Sequence, residues 1–306
     1  MRTASWAMGC AVVLVATRGW SQVSDWRPAF DPDDPYQLPD APAPPTLPDL
    51  THRGLAASLA LIVGSIRPER EGEEAERVGV TIESLDVEMA VSNRRWYVGF
   101  AQDFAQGSTL SGDEGAALVS NPEVWGRALW ASQAGLAYGG GVGFVPPLID
   151  HVRQPGSVKG TVRVVQPWDY PRFAGRVFSF RPFVDVRMMD GPILFQLRQG
   201  IDVLRKASEE AAIPETTMTS RTTLYLGYRP IDALGLGMEV SEVYFIEAPG
   251  VEDEDRAVFS VSPGVRWMTP VLQPSVSGLF PIGRPLFGDA STYWGVRLTL
   301  GVVVDP

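Results

Sequence analysis

Two histidines are all this chain offers to imidazole chemistry, and neither lies in a segment that reads as regular structure. His52 follows a proline-rich stretch, and His151 falls in the longest link, Pro146 to Phe173. A serine activated by histidine needs both side chains held within hydrogen-bond reach by rigid elements. Ser-His hydrolysis therefore has no home here. Thiolate metal sites are excluded in the same way, because the single cysteine, Cys10, lies in the N-terminal apolar segment and the two histidines are far apart. Glu252-Asp253-Glu254-Asp255 has the oxygen ligands for calcium, but an acidic run of this kind is usually a solvated loop. No catalytic residue, cofactor or metal is expected, and the chain is not expected to be an enzyme.

The remaining chemistry is a set of charges that share one face of alternating segments. These are Asp86, Glu88, Arg95, Asp103, Arg181, Asp185, Arg187, Arg198, Asp202, Arg221, Glu239, Arg266 and Arg297. Most stand between apolar residues with a period of two, as on a strand with one oily and one polar face, while Arg95, Asp103, Arg198 and Arg221 have a polar residue on at least one side. Because both signs occur on the same face, the charges can pair across strands and stiffen a wall. They can equally form an arginine ladder that selects anionic or zwitterionic solutes passing along it.

The elements that carry these charges begin after Thr51. Gly54 to Ile66 alternates with Leu55, Ala57, Leu59, Leu61 and Val63 on one side. The next segment begins with Val78, Val80 and Ile82 and changes phase at Ser84 to Leu85, Val87, Met89 and Val91, which predicts a β-bulge. Ser92-Asn93 marks a tight hairpin into the segment of Trp96, Val98, Phe100 and Phe104. Gln106 to Ser120, rich in glycine and serine, reads as a loop, and Asn121 to Ser132 follows with uneven alternation. Gly135 to Val145 sets Gly135, Ala137, Gly139, Gly141 and Gly143 on one face, so that something close must pack there or the wall must curve. Gly175 to Met188 and the segment Ile193 to Val203 follow, joined at Asp190-Gly191. Arg205 to Thr216 has the composition of a short helical turn in a loop. Four more segments, Thr217 to Tyr228, Leu234 to Ile246, Arg256 to Trp267 and Val271 to Ile282, lead to the last, around Tyr293 to Leu300.

Twelve segments of this length suit tilted strands crossing a membrane, and long links alternate with short ones. An even-numbered barrel with both ends in the periplasm produces that asymmetry, whereas a β-sandwich has no reason to. The expected fold is therefore all-β, a transmembrane antiparallel up-and-down barrel of about twelve strands, with charges in the lumen and Trp96, Trp267 and Trp294 as interfacial girdles. A hydrophobic content of 45% with 31 glycines and 26 prolines agrees with a turn-rich β protein.

Residues 1–21 read as a secretory signal peptide, with Arg2, an apolar run from Ala7 to Ala16 and small residues before a cut at Gln22. Removing them takes the formal charge from −10 to −12, because Arg2 and Arg18 go with them. A polyanion such as nucleic acid is then excluded as a partner. Residues 22–53 hold the prolines and aspartates of Pro28-Ala29-Phe30-Asp31-Pro32 through Pro42-Ala43-Pro44-Pro45, a composition that forms neither ladder nor core. They read as a periplasmic linker, or as a plug anchored by Trp26, Phe30 and Tyr36. The barrel is expected over residues 54–304.

Two resemblances bear on this. Gly295 followed by Leu298 and Leu300 resembles the C-terminal assembly signal of bacterial outer-membrane β-barrels, although Tyr293 and the residues after Leu300 depart from it. That likeness implies insertion by the barrel-assembly machinery into a membrane of outer-membrane lipid and lipopolysaccharide. The segment pattern, including Leu85-Asp86-Val87-Glu88 through Trp96-Tyr97-Val98-Gly99 and Ser262-Pro263-Gly264-Val265, resembles outer-membrane transporters of the phenol-degradation (meta-pathway) type. It implies passage of small molecules, hydrophobic ones among them. The expected function is a narrow channel or transporter for small solutes; the alternative is a non-conducting barrel that anchors or scaffolds an envelope complex.

Overall fold

The computed structural model describes residues 27–28 and most of residues 54–304. Outside it are 1–26, 29–53, 69–76, 92–95, 110–114, 132–135, 150–164, 248–255, 283–289, 305–306 and positions 191, 210, 212, 214–215, 232 and 270. His52, His151, Arg95, the acidic run at 252–255 and the aromatic residues at 26, 30 and 36 lie outside the described residues.

The strands are β1 Arg27–Pro28, β2 Leu55–Pro68, β3 Val78–Val91, β4 Trp96–Thr109, β5 Gly115–Val119, β6 Glu123–Ala131 and β7 Leu136–Val145. They continue with β8 Val177–Asp190, β9 Ile193–Lys206, β10 Thr216–Ile231, β11 Leu234–Glu247, β12 Ala257–Trp267, β13 Leu272–Ile282 and β14 Ala290–Val304. From β2 to β14 each strand pairs antiparallel with the next except β5 with β6, and β14 closes the ring on β2 over the register Val304–Leu55 to Ala290–Pro68. β5 and β6 both pair with β4, end to end, and are two halves of one barrel strand. The result is a closed twelve-stranded antiparallel barrel, with β1 as a short extra strand against Ala131 and Trp130 of β6. Closure leaves no edge and pairs the backbone groups that lipid cannot satisfy.

Alternation sets the two faces. Leu59, Val98, Phe180, Val184, Leu226 and Leu298 are exposed on the outside, while Glu88, Asp103, Arg181, Asp185, Asp202 and Glu239 are buried inside. An apolar exterior around a charged interior is the reverse of a water-soluble barrel and is the arrangement lipid requires. Trp96 and Trp267 stand exposed at the short-turn end and Trp294 near the long-loop end, at the levels of interfacial girdles.

Three local expectations are corrected. β3 pairs with β2 and β4 without a register shift, so the bulge expected at Ser84 is absent. Val78, Val80 and Ile82 are buried inside, where Ser84 and Glu88 also point. The apolar pattern changes face because the lumen changes character along its length, while the backbone keeps its phase. The bulge is instead on the neighbouring wall strand. Phe104 faces Val119 and Ala101 faces Glu123, so Ser120, Asn121 and Pro122 oppose only Gln102 and Asp103. This one-residue slip explains the uneven alternation after Asn121. Gln106 to Ser120 is also mostly strand, since β4 runs to Thr109 and β5 begins at Gly115. Residues 205 and 206 end β9, and the described residues that follow form bends and a turn with Ala211 N donating to Ser208 O.

Among the described residues, the helical segment is in the long link between β7 and β8, a 3-10 helix Pro167–Phe173. Pro167 presets the first turn, Asp169 stands near the positive end and Arg172 near the negative end. Pro171 and the poor geometry of 3-10 bonds keep it short. It lies inside the barrel. Trp168, Tyr170 and Phe173 pack with Val165, Ile62, Val80, Ile82, Leu204, Phe245 and Val258 in one buried cluster. Burying each of these three aromatic side chains contributes about 2 kcal/mol. The long-loop half of the lumen is thereby filled with apolar side chains, the middle remains polar, and a smaller apolar cluster of Met189, Leu194 and Tyr225 stands near the short turns.

Candidate functional site

The inner wall is organised by glycines. Register places Glu88, Gly99, Trp125, Gly143 and Arg181 in one row on β3, β4, β6, β7 and β8. A second row runs Arg127, Gly141, Phe183, Gly200 and Arg221 on β6 to β10. In each row a glycine separates two large side chains, and those side chains lie across it. The Trp125 indole covers Gly99, where a Cβ would stand 2.0 Å from Cε2, and its Nε1 donates to Glu88 Oε2 on the next strand at 2.9 Å. Phe183 covers Gly141, where a Cβ would meet Cζ at 2.6 Å, and the Arg198 guanidinium stacks over its ring at 4.2 Å. The glycine face expected on β7 is thus occupied by side chains from both flanking strands. Because they lie flat, large residues line the wall without filling the bore.

The charges close into a network. Arg127 pairs with Glu88, its Nε donating at 2.7 Å. Arg198 grips Asp185 with two bonds of 2.6 and 2.9 Å. Arg181 is the hub: Nε donates to Asp202 at 3.1 Å, another nitrogen to Glu123, and a third to the Trp168 carbonyl at 2.7 Å. Asp202 also pairs with Arg221 at 2.7 Å. Arg172 of the 3-10 helix stands 2.9 Å from Asp103 and 3.6 Å from Asp169. Burial pushes the Asp169 carboxyl up, but Arg172 and Arg181 outweigh it and hold the group below the usual carboxylate range. Burial opposes the charge of Arg172, which Asp103 and Asp169 reinforce to a net rise.

The bulge is where the wall receives the inserted segment. Asn121 N donates to the Arg172 carbonyl at 2.7 Å and its Nδ2 to the Ala174 carbonyl at 3.1 Å. Its Oδ1 accepts from Ile149 N at 2.8 Å, tying both ends of the long link to one side chain. An extra residue on the bulged strand frees these groups from the ladder.

Below the inserted segment lies a chamber of about 200 Å³. Gln166, Trp168, Asp169 and Arg172 roof it, and Ala56, Val302 and Val303 reach its other end. Six arginines, 172, 181, 198, 221, 266 and 297, and four carboxylates, 86, 88, 123 and 169, line it. The wall from β12 to β2 contributes small side chains such as Ser275, Thr299, Gly301 and Ser58, so the open space lies along that side. Arg266 crosses β13 toward Gly301, where a Cβ would stand 3.3 Å from its terminal nitrogen. Asp103, Asp185, Arg187, Asp202 and Glu239 point inward but are buried behind other side chains.

No family model matches the chain, and no curated protein matches it in sequence. Among solved structures, an outer membrane channel from Pseudomonas putida F1 superposes with a TM-score of 0.64 over 86% of this chain and 99% of that one, at 10% identity. The fold is that of an outer-membrane β-barrel. The NanC porin aligns over 80% of this chain and 100% of its own at TM-score 0.48 and 11% identity. The beta domain of the Bordetella autotransporter BrkA aligns over 82% and 100% at 0.47 and 10%.

Sequence reasoning missed Glu123, Trp125 and Arg127, which point into this barrel because the slip at Ser120–Pro122 resets the phase after it. Reading Pro122 as a register break would have put all three on the charged face. It also missed Asp169 and Arg172. Their signal was the run Pro167-Trp168-Asp169-Tyr170-Pro171-Arg172-Phe173, whose aromatic content is too high for a solvated loop.

Proposed function

We propose that the chain is an outer-membrane channel for small solutes whose resting state is closed by the inserted segment 165–174. The observation that carries this reading is the polar chamber ending against Trp168, Asp169 and Arg172, which are fastened to the wall by ion pairs and a few hydrogen bonds. A lumen meant only to be filled would have no use for charged groups around open space. The fold shared with the Pseudomonas channel supports the reading, as does the likeness of pattern to transporters of the phenol-degradation type. β1 pairs with β6 at the short-turn end, which supports a periplasmic seat for residues 22–53.

Planar-bilayer recording of the full chain tests this. Infrequent small openings are expected, becoming frequent when Arg172→Ala and Asp169→Asn are combined. The packed apolar cluster at the long-loop end favours a second reading, a non-conducting barrel that anchors an envelope complex. Silence from both proteins in every bilayer would decide for it.

A further inference from the structure

The outer face carries a polar feature that conduction does not require. On three successive strands a polar side chain points outward in one register row: Gln199 on β9, Thr222 on β10 and Glu242 on β11. Thr222 is directly opposite both of the others. The Thr222 hydroxyl donates to Gln199 Oε1 at 2.7 Å, and Gln199 Nε2 donates to Ser220 Oγ at 2.9 Å. The inward positions beside them, Thr223, Gly200 and Ser241, are buried in the lumen, which fixes the outward direction.

Their depth makes this costly in lipid. Thr222 lies six residues along β10 from the exposed Tyr228 at the short-turn end. With about 3.3 Å per residue and a tilt of about 40°, it stands roughly 15 Å into an apolar band about 25 Å tall. Register neighbours Leu197, Leu224 and Val240 are apolar, as the band requires. Acyl chains offer no hydrogen-bond partner, and polar side chains at this depth are satisfied by other transmembrane elements. Glu83 also points outward, but its register neighbours Leu61 and Phe104 are apolar, so it forms no ladder.

We propose that the face of β9 to β11 is a two-fold interface with a second copy of this chain. The order of the ladder argues for it. An axis along the membrane normal, set against β10, brings β9 of one barrel opposite β11 of the other. With strands about 4.8 Å apart and tilted about 40°, register partners shift by roughly 3 Å in height per strand, so Gln199 lies about 6 Å off the level of the Glu242 carboxyl of the second copy. Its amide, also 3.4 Å from the Gly200 carbonyl, crosses that span to the carboxyl, twice. Thr222 and Ser220 stand next to the axis, where short side chains let the walls approach. A different partner would need its own matching ladder; a second copy has it by symmetry.

The experiment is oxidative cross-linking of the full chain in native membranes with Cys10→Ser as background. Ser220→Cys is expected to give a disulfide-linked dimer, and Val142→Cys, outward on β7, is not. Adding Glu242→Leu to Ser220→Cys should cut the dimer yield at least threefold, while Glu242→Gln should retain it. The heat-shifted gel band of each variant reports that the barrel has formed. Equal cross-linking at both positions, linkage only to some other protein, or a single-barrel mass in lipid nanodiscs at every protein density would overturn the interface.

Discussion

Arg181 of the barrel wall stands 3.5 Å from Asp169 of the inserted 3-10 helix, while the same guanidinium is 3.1 Å from Asp202 on β9. One cation therefore serves wall and inserted segment together. Removing the carboxyl at 169 leaves the wall pairs intact and weakens only the insertion. Asp169→Asn is expected to cost the closed state about 1.5 to 3 kcal/mol, the worth of a charge-assisted bond. Single-channel recording should show a rise in open probability of at least tenfold. Arg181→Met acts differently, because it leaves the largely buried Glu123 without its cation and the buried Asp202 with Arg221 alone, at about 3 to 5 kcal/mol. It should reduce the yield of heat-shifted barrel, and normal assembly of this variant would show that the hub is dispensable.

The same carboxyl predicts an acid response. Asp169 has its pKa lowered in the inserted state, burial being outweighed by Arg172 and Arg181. Its contribution is fully present above the ordinary carboxylate value of about 4 and is lost as pH falls through the lower value. Open probability should therefore rise on acidification below about pH 4, and Asp169→Asn should already be open at neutral pH and lose much of that pH dependence. An unchanged acid response in the variant would assign it to other carboxylates of the lumen.

The glycine rows predict sharp sensitivity at positions that look inert. A Cβ on Gly99 would stand 2.0 Å from the Trp125 ring, so Gly99→Ala must displace the indole and break its bond to Glu88. Overpacking of this kind costs about 1 to 3 kcal/mol. The temperature at which the compact gel band is lost should fall. Combining Gly99→Ala with Trp125→Ala should recover part of the loss, whereas additive losses would mean that the two residues do not meet.

Most of the barrel was legible because a closed membrane sheet leaves its alternation in the sequence strand by strand. The last strand is the clearest case: Trp294, Val296, Leu298 and Leu300 are exposed, while Gly295 and Arg297 are buried. What the pattern concealed has one physical source, the segment folded into the lumen. It made Val80 and Ile82 apolar on the inward face, which imitated a bulge in β3, and it drew its docking groups from the real bulge at Ser120–Pro122. Alternation records which side of the wall a residue occupies, not what fills the space beyond it. Arg172 and Asp103 lie far apart in the sequence and meet only because the link folds inward.

The last strand also supplies the most direct test of the faces. Leu298 points to lipid and is flanked in register by Leu61 and Val276, while Arg297 points inward beside Ile62 and Ser277. A cation facing mid-bilayer lipid costs about 2 to 4 kcal/mol. Leu298→Arg should therefore reduce insertion strongly and deplete the heat-shifted band from the membrane fraction. Arg297→Leu places an apolar side chain in the polar chamber and removes a charge for which no ion pair bridges to the wall among the described residues, so its effect on assembly should be smaller. Measuring the two variants together keeps general intolerance of the strand from imitating the result: a larger loss with Arg297→Leu would mean that the barrel is inside out, with its charges outward and its apolar face as a core.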